Sequence, residues 1–112
     1  MDEFTIGESN YSPLSDGEYT AEFGGIEQVQ TVHGLSNKFV FEIQEEGEHK
    51  GEIFNAFCDS KPPTIKNKLG RYLAFLAHAS LTSGIVVKPS NYIGKQYLLF
   101  IEGGKLASFQ KL

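Results

Sequence analysis

Gly17-Glu18-Tyr19-Thr20-Ala21-Glu22-Phe23-Gly24-Gly25-Ile26-Glu27-Gln28-Val29-Gln30-Thr31-Val32 carries strand periodicity on both sides of a glycine pair. Its first half alternates polar and apolar residues, the period of a strand with one buried face. Gly24-Gly25 interrupts that alternation before Ile26 resumes it. A glycine pair inside a strand pattern marks a bulge or sharp bend, because a chain without Cβ atoms can coil from one sheet direction into another. One long, bent first strand is therefore expected.

Downstream, His33-Gly34-Leu35-Ser36-Asn37 reads as a turn. Lys38-Phe39-Val40-Phe41-Glu42-Ile43 follows as a second strand with Phe39, Phe41 and Ile43 facing the core. After the turn at residues 45–49, residues 51–58 form a third strand. Its inward face is either Ile53, Asn55 and Phe57 or Phe54, Ala56 and Cys58. Pro62-Pro63 stops strand pairing by removing amide donors. Thr64 is the expected N-cap of a helix within residues 65–79. Ile65, Leu69, Tyr72, Leu73 and Leu76 share its apolar side, with Lys66, Asn67, Lys68 and Arg71 opposite. Gly70 weakens such a helix by roughly 1 kcal/mol relative to alanine, which implies close packing against the sheet. Residues 81–92 read as a loop with a short extended piece at Ile85-Val86-Val87. Residues 95–101 and 105–109 are the closing strands, joined at Gly103-Gly104 by a tight hairpin.

The order is thus β-β-β-α-β-β, a mostly β chain with one helix between strands three and four. It matches the five-stranded Greek-key barrel called the OB-fold. With 112 residues there is room for one domain, placed at residues 16–112 behind an irregular arm of residues 1–15. Within that arm Phe4-Thr5-Ile6 is a candidate edge strand. Three motifs carry a closer resemblance: Leu14-Ser15-Asp16-Gly17-Glu18-Tyr19, the stretch from Lys38 to Lys50-Gly51, and Lys68-Leu69-Gly70-Arg71-Tyr72-Leu73-Ala74-Phe75-Leu76. With Ile93-Gly94-Lys95 before the fourth strand, the chain resembles a set of small phage and prophage proteins over about residues 14–102. The resemblance implies an OB-like domain that binds single-stranded DNA in replication or recombination, within the cytoplasm of a bacterial host. Its motifs are structural and assign no site residues.

Charge is divided along the chain. Residues 1–60 hold thirteen of the fourteen acids and only Lys38 and Lys50 as bases, a net charge of −11. Residues 61–112 hold eight bases against Glu102 alone, a net charge of +7. Clustered charge sets local potential even where the total is −4. The acidic start lacks the pattern of a signal peptide, and no apolar run is long enough to span a bilayer. The single Cys58 cannot close an internal disulfide, which fits a reducing, cytoplasmic setting. His33, His49 and His78 have no metal-ligand spacing, and His33 and His49 fall in turns exposed to solvent; no phosphate loop or nucleophile pattern is present. Neither an enzyme, a metal nor another cofactor is expected.

Single strands are held by basic grooves with aromatic platforms, each stacked base contributing about 1–3 kcal/mol. Lys38, Phe54, Phe57, Lys61, Lys66, Lys68 and Arg71 are the candidate nucleic-acid-binding residues, with Tyr11 and Tyr92 as further stacking candidates. Glu42, Glu45, Glu46, Glu48 and Glu52 oppose phosphates on the customary face of strands two and three. The expected path therefore bends toward residues 61–71, with weak, salt-sensitive binding. The alternative is a protein-interaction or self-assembling module that pairs its acidic and basic faces without nucleic acid.

Overall fold

The computed structural model describes residues 14–32, 34–59, 61–80, 84 and 86–112. Among them, strands β1 (Gly17–Thr31), β2 (Gly34–Ile43), β3 (Ile53–Asp59), β4 (Gln96–Glu102) and β5 (Lys105–Lys111) form one antiparallel sheet ordered β3-β2-β1-β4-β5. The ten-residue helix α1 (Lys68–Ala77) lies between β3 and β4. A short 3₁₀ turn, Pro89–Tyr92, ends the segment read from sequence as a loop, while Val86 and Val87, in the expected extended piece, join no strand of the sheet. Phe4, Ile6, Tyr11, His33 and Ile85 lie outside the described residues.

The glycine pair acts as its composition suggests. The β1–β2 register shifts between Phe23 and Gly25, and Gly25 takes φ +114°, a conformation that favours glycine. Below this bulge β1 pairs with both β2 and β4; the last β4 partner is Glu22, opposite Gln96. Above it, β1 leaves β4 and runs on beside β2 to the pair Thr31–Gly34, with β3 accompanying β2 as far as Ser36. The β4–β5 turn has positive φ at both Gly103 and Gly104, the signature of a type I′ hairpin. Asp16 Oδ1 accepts a 2.8 Å hydrogen bond from the Gly103 amide and ties this turn to the start of β1.

A closed barrel would need β5 to pair with β3, and no such ladder exists among the described residues. Instead α1 packs against both β5 and β3. Its buried residues Leu69, Tyr72 and Leu76 join Phe23, Phe39, Phe41, Ile43, Leu99 and Phe109 in one core. Aromatic edges meet faces here, as in Phe41–Phe109 at 5.2 Å and Phe39–Tyr72 at 5.3 Å between ring centroids. Two tyrosines lock the helix in place through buried bonds. Tyr72 Oη donates to the Leu106 carbonyl at 2.9 Å and Tyr97 Oη to the Leu76 carbonyl at 2.6 Å. Leu14, assigned to the arm from sequence, is also buried in this core.

The helix begins later than its apolar spacing suggests. Asn67, not Thr64, is the N-cap: its Oδ1 accepts from the Gly70 amide at 2.8 Å and from the Thr64 amide at 3.0 Å. Thr64 Oγ1 instead accepts from the Lys66 amide within the preceding turn. That turn explains Gly70, whose Cβ would sit 1.8 Å from the Thr64 carbonyl oxygen. The glycine therefore admits the backbone of its own entry turn rather than the sheet. Ile65, now outside the helix, is exposed. No helix among the described residues is long and apolar enough to cross a membrane.

Candidate nucleic-acid interface

Register settles the face of β3. Ala56 and Cys58 are buried and Phe54 packs against the core, while Ile53 and Phe57 are exposed. Phe54 is thus an inward, half-buried core residue and no longer a stacking platform. Phe57, 40% exposed, stands directly opposite Lys38 on the outer face. Along that face the next pairs are Val40 with Asn55 and Glu42 with Ile53. Asn55 Oδ1 is buried and has no hydrogen-bond partner among the described residues. An acceptor in that state costs about 1–3 kcal/mol unless a donor reaches it.

The two ends of this outer face differ in charge. At one end Lys38 Nζ lies 2.8 Å from Glu27 Oε2, across the β1–β2 pair Glu27–Lys38. At the other, the turn following β2 gathers Glu45, Glu46, Glu48 and Glu52. His49 is not simply solvated there. Its Nδ1 is 2.6 Å from Glu52 Oε2, its Nε2 is 3.3 Å from Glu48 Oε1, and its ring meets Tyr19 edge-on. Lys50 pairs with Glu46. The acids that oppose phosphate are therefore gathered at the end away from Lys38.

Beyond Phe57 the chain leads from β3 to Lys61, Lys66, Lys68 and Arg71, all exposed. Lys68 Nζ lies 5.4 Å from the Tyr72 ring centroid, within cation–π reach. The candidate residues thus form two groups. Lys38 and Phe57 face each other on the sheet, and the four remaining bases line the turn and the first helical turns. Tyr92 is half-buried against the core and offers no free platform.

Sequence spacing does not reveal the cleft beside this path, because four separate segments form it. Gly24, Gly25 and Ile26 of β1, Asn37 of β2, Pro63, Leu69 and Leu73 around the helix start, and Val87, Pro89 and Ile93 enclose about 470 Å³. Glu27 also lines it, so the cleft adjoins the outer face at the Glu27–Lys38 pair. The only available sequence signal was the glycine pair that bends β1 away from β4. Compared with known proteins, the chain matches no family model, no curated protein and no solved structure.

Proposed function

We propose that this chain is an OB-type domain that binds single-stranded DNA without sequence preference, weakly and in a salt-sensitive manner, in replication or recombination. The observation that carries the reading is the cross-strand pair of an exposed aromatic, Phe57, with a cation, Lys38, at the end of the outer face that leads into the basic segment. A base stacked on Phe57 would put its phosphates beside Lys38 and direct the strand toward Lys61, Lys66, Lys68 and Arg71. The OB assignment is supported by the strand order and by a helix inserted between β3 and β4. An OB barrel is partly open, and here α1 bridges the strands that would close it.

A fluorescence titration with labelled oligo-dT at low salt tests the proposal. Saturable binding is expected that weakens linearly in a plot of log affinity against log salt. Absence of binding at about 50 μM protein would overturn it, since non-specific affinities generally fall between about 10⁻⁴ and 10⁻⁶ M. Joint replacement Lys68→Ala and Arg71→Ala should weaken binding and reduce that slope by about one to two. An unchanged slope would take both residues off the phosphate path.

A further inference from the structure

The sheet has two open edges, β3 and β5, and only one of them is guarded. β5 carries Lys105 and Lys111 at its ends and a bulge where pairing skips from Ser108 to Leu106. Such devices keep an edge from pairing with another chain. β3 has none of them: residues 53–58 contain no charge and no proline, their register with β2 is unbroken, and Ile53 and Phe57 are exposed. The ladder fixes where the backbone groups of β3 point. Ile43 exchanges its backbone bonds with Gly51 and Glu52, and the next residue, Gln44, donates from its amide to Thr20 of β1 instead. Bonded pairs alternate along an antiparallel ladder, so Phe54 and Ala56 bond to β2 while Ile53, Asn55 and Phe57 turn their N–H and C=O groups to the open edge. Those groups have no other backbone partner among the described residues.

We propose that β3 pairs antiparallel with β3 of a second copy about a two-fold axis at Asn55. Ile53 then faces Phe57 of the other copy, Asn55 faces Asn55, and every facing pair exchanges two hydrogen bonds. On the outer face Ile53 and Phe57 cover each other twice, and the symmetric contact closes as a dimer. Charge selects a second copy as the occupant of this edge. Residues 45–52, leading into β3, hold Glu45, Glu46, Glu48 and Glu52 against Lys50 alone, a net charge of −3. Residues 61–71, beyond its other end, hold Lys61, Lys66, Lys68 and Arg71 with no acid, a net charge of +4. Antiparallel pairing lays the acidic end of each copy against the basic end of the other, whereas parallel pairing would set acid on acid. The dimer does not rest on DNA binding.

Sedimentation velocity across protein concentration and salt tests the pairing. The expected result is a monomer–dimer equilibrium whose dissociation constant rises as salt screens the two charge contacts. Ile53→Lys places a guarding charge on the edge and should raise that constant at least about tenfold, with circular dichroism confirming the fold. Glu48→Lys and Lys61→Glu should each weaken the dimer, and the double variant should recover it, because reversing both ends restores the match. Register is read by cross-linking under mild oxidation. Asn55→Cys sets two thiols opposite each other with Cα atoms about 5.5 Å apart, within disulfide reach, whereas Ile53→Cys faces a phenylalanine. The native Cys58 is buried and serves as the background. The first variant should cross-link at least about tenfold faster than the second. A wild-type monomer at about 200 μM, species larger than a dimer, a dimer indifferent to salt, an Ile53→Lys variant that dimerises as wild type, a double reversal no better than either single one, or equal cross-linking by the two cysteine variants would each overturn the proposal.

Discussion

The inner face of the sheet is filled below the β1 bulge and only partly filled above it, where Phe39 still packs on Tyr72. Below Gly25, β4 lies alongside β1, α1 covers the sheet, and Phe23, Phe41, Tyr97 and Phe109 interlock. Above it, β4 is absent. Ile26 and Asn37 face a cleft flanked by Leu69, Leu73 and Ile93. One strand thus serves two environments, and a two-residue bend separates a packed core from an accessible recess.

Truncation should separate these environments most strongly. Phe41→Ala removes a fully buried ring in contact with Phe23, Tyr97 and Phe109 and should cost about 3–5 kcal/mol in urea denaturation. Leu73→Ala, at the half-buried cleft wall, should cost about 1 kcal/mol, because a side chain already touching solvent leaves little new cavity. Equal costs would mean that the cleft is packed as core, and the contrast would fail.

The filled side was the more legible in the sequence. Alternation identified β1 and β2, the glycine pair marked the bulge, and the Gly103-Gly104 turn followed from its need for positive φ. The start of α1 was not legible, because Thr64 and Asn67 are both competent caps. The contact that decides between them is the fit of the entry turn over Gly70. The face of β3 was ambiguous for a similar reason: each alternative set contains a phenylalanine, and only pairing with β2 resolves it. In the candidate site the basic cluster was visible as composition. The opposition of Phe57 and Lys38 depends on register, and the cleft on tertiary assembly of distant segments. The closure expected between β3 and β5 is not made among the described residues, where α1 packs against both strands.

A smaller effect concerns the tyrosines that anchor α1 over the filled side. Burial, with a lesser contribution from Tyr92, pushes the Tyr97 hydroxyl from 10.0 up to about 12. Tyr72 is raised as well, chiefly by burial and secondarily by Cys58, with Arg71 opposing. For a group whose folded pKa lies above its unfolded value, the neutral form is favoured in the fold. Its contribution is complete below pH 10 and is lost as pH rises toward the folded value. Unfolding free energy should therefore fall between about pH 10 and 12. Tyr97→Phe should cost about 1–1.5 kcal/mol at pH 7 by removing the bond to Leu76, yet flatten part of that alkaline decline. Urea midpoints measured at intervals from pH 7 to about pH 11 would show both. A variant that declines as steeply as wild type would remove Tyr97 as a source of the alkaline sensitivity.

The smallest expected effect lies at the boundary between the two regions, where Glu27 holds Lys38. Both side chains retain solvent access, so the pair contributes no more than about 1 kcal/mol to folding. Glu27→Gln should leave the urea midpoint nearly unchanged. It removes a negative charge beside the proposed strand path and releases the ammonium of Lys38 for phosphate. Oligo-dT affinity at low salt should then rise about two- to threefold, and the salt slope should steepen slightly. The sign is the informative part. An increase places Lys38 on the path and makes Glu27 a competitor for it, whereas unchanged or weaker binding with the fold intact would confine the strand to the basic segment around α1. That outcome would detach the outer face of the sheet from the cleft end and leave Phe57 an exposed aromatic without a ligand.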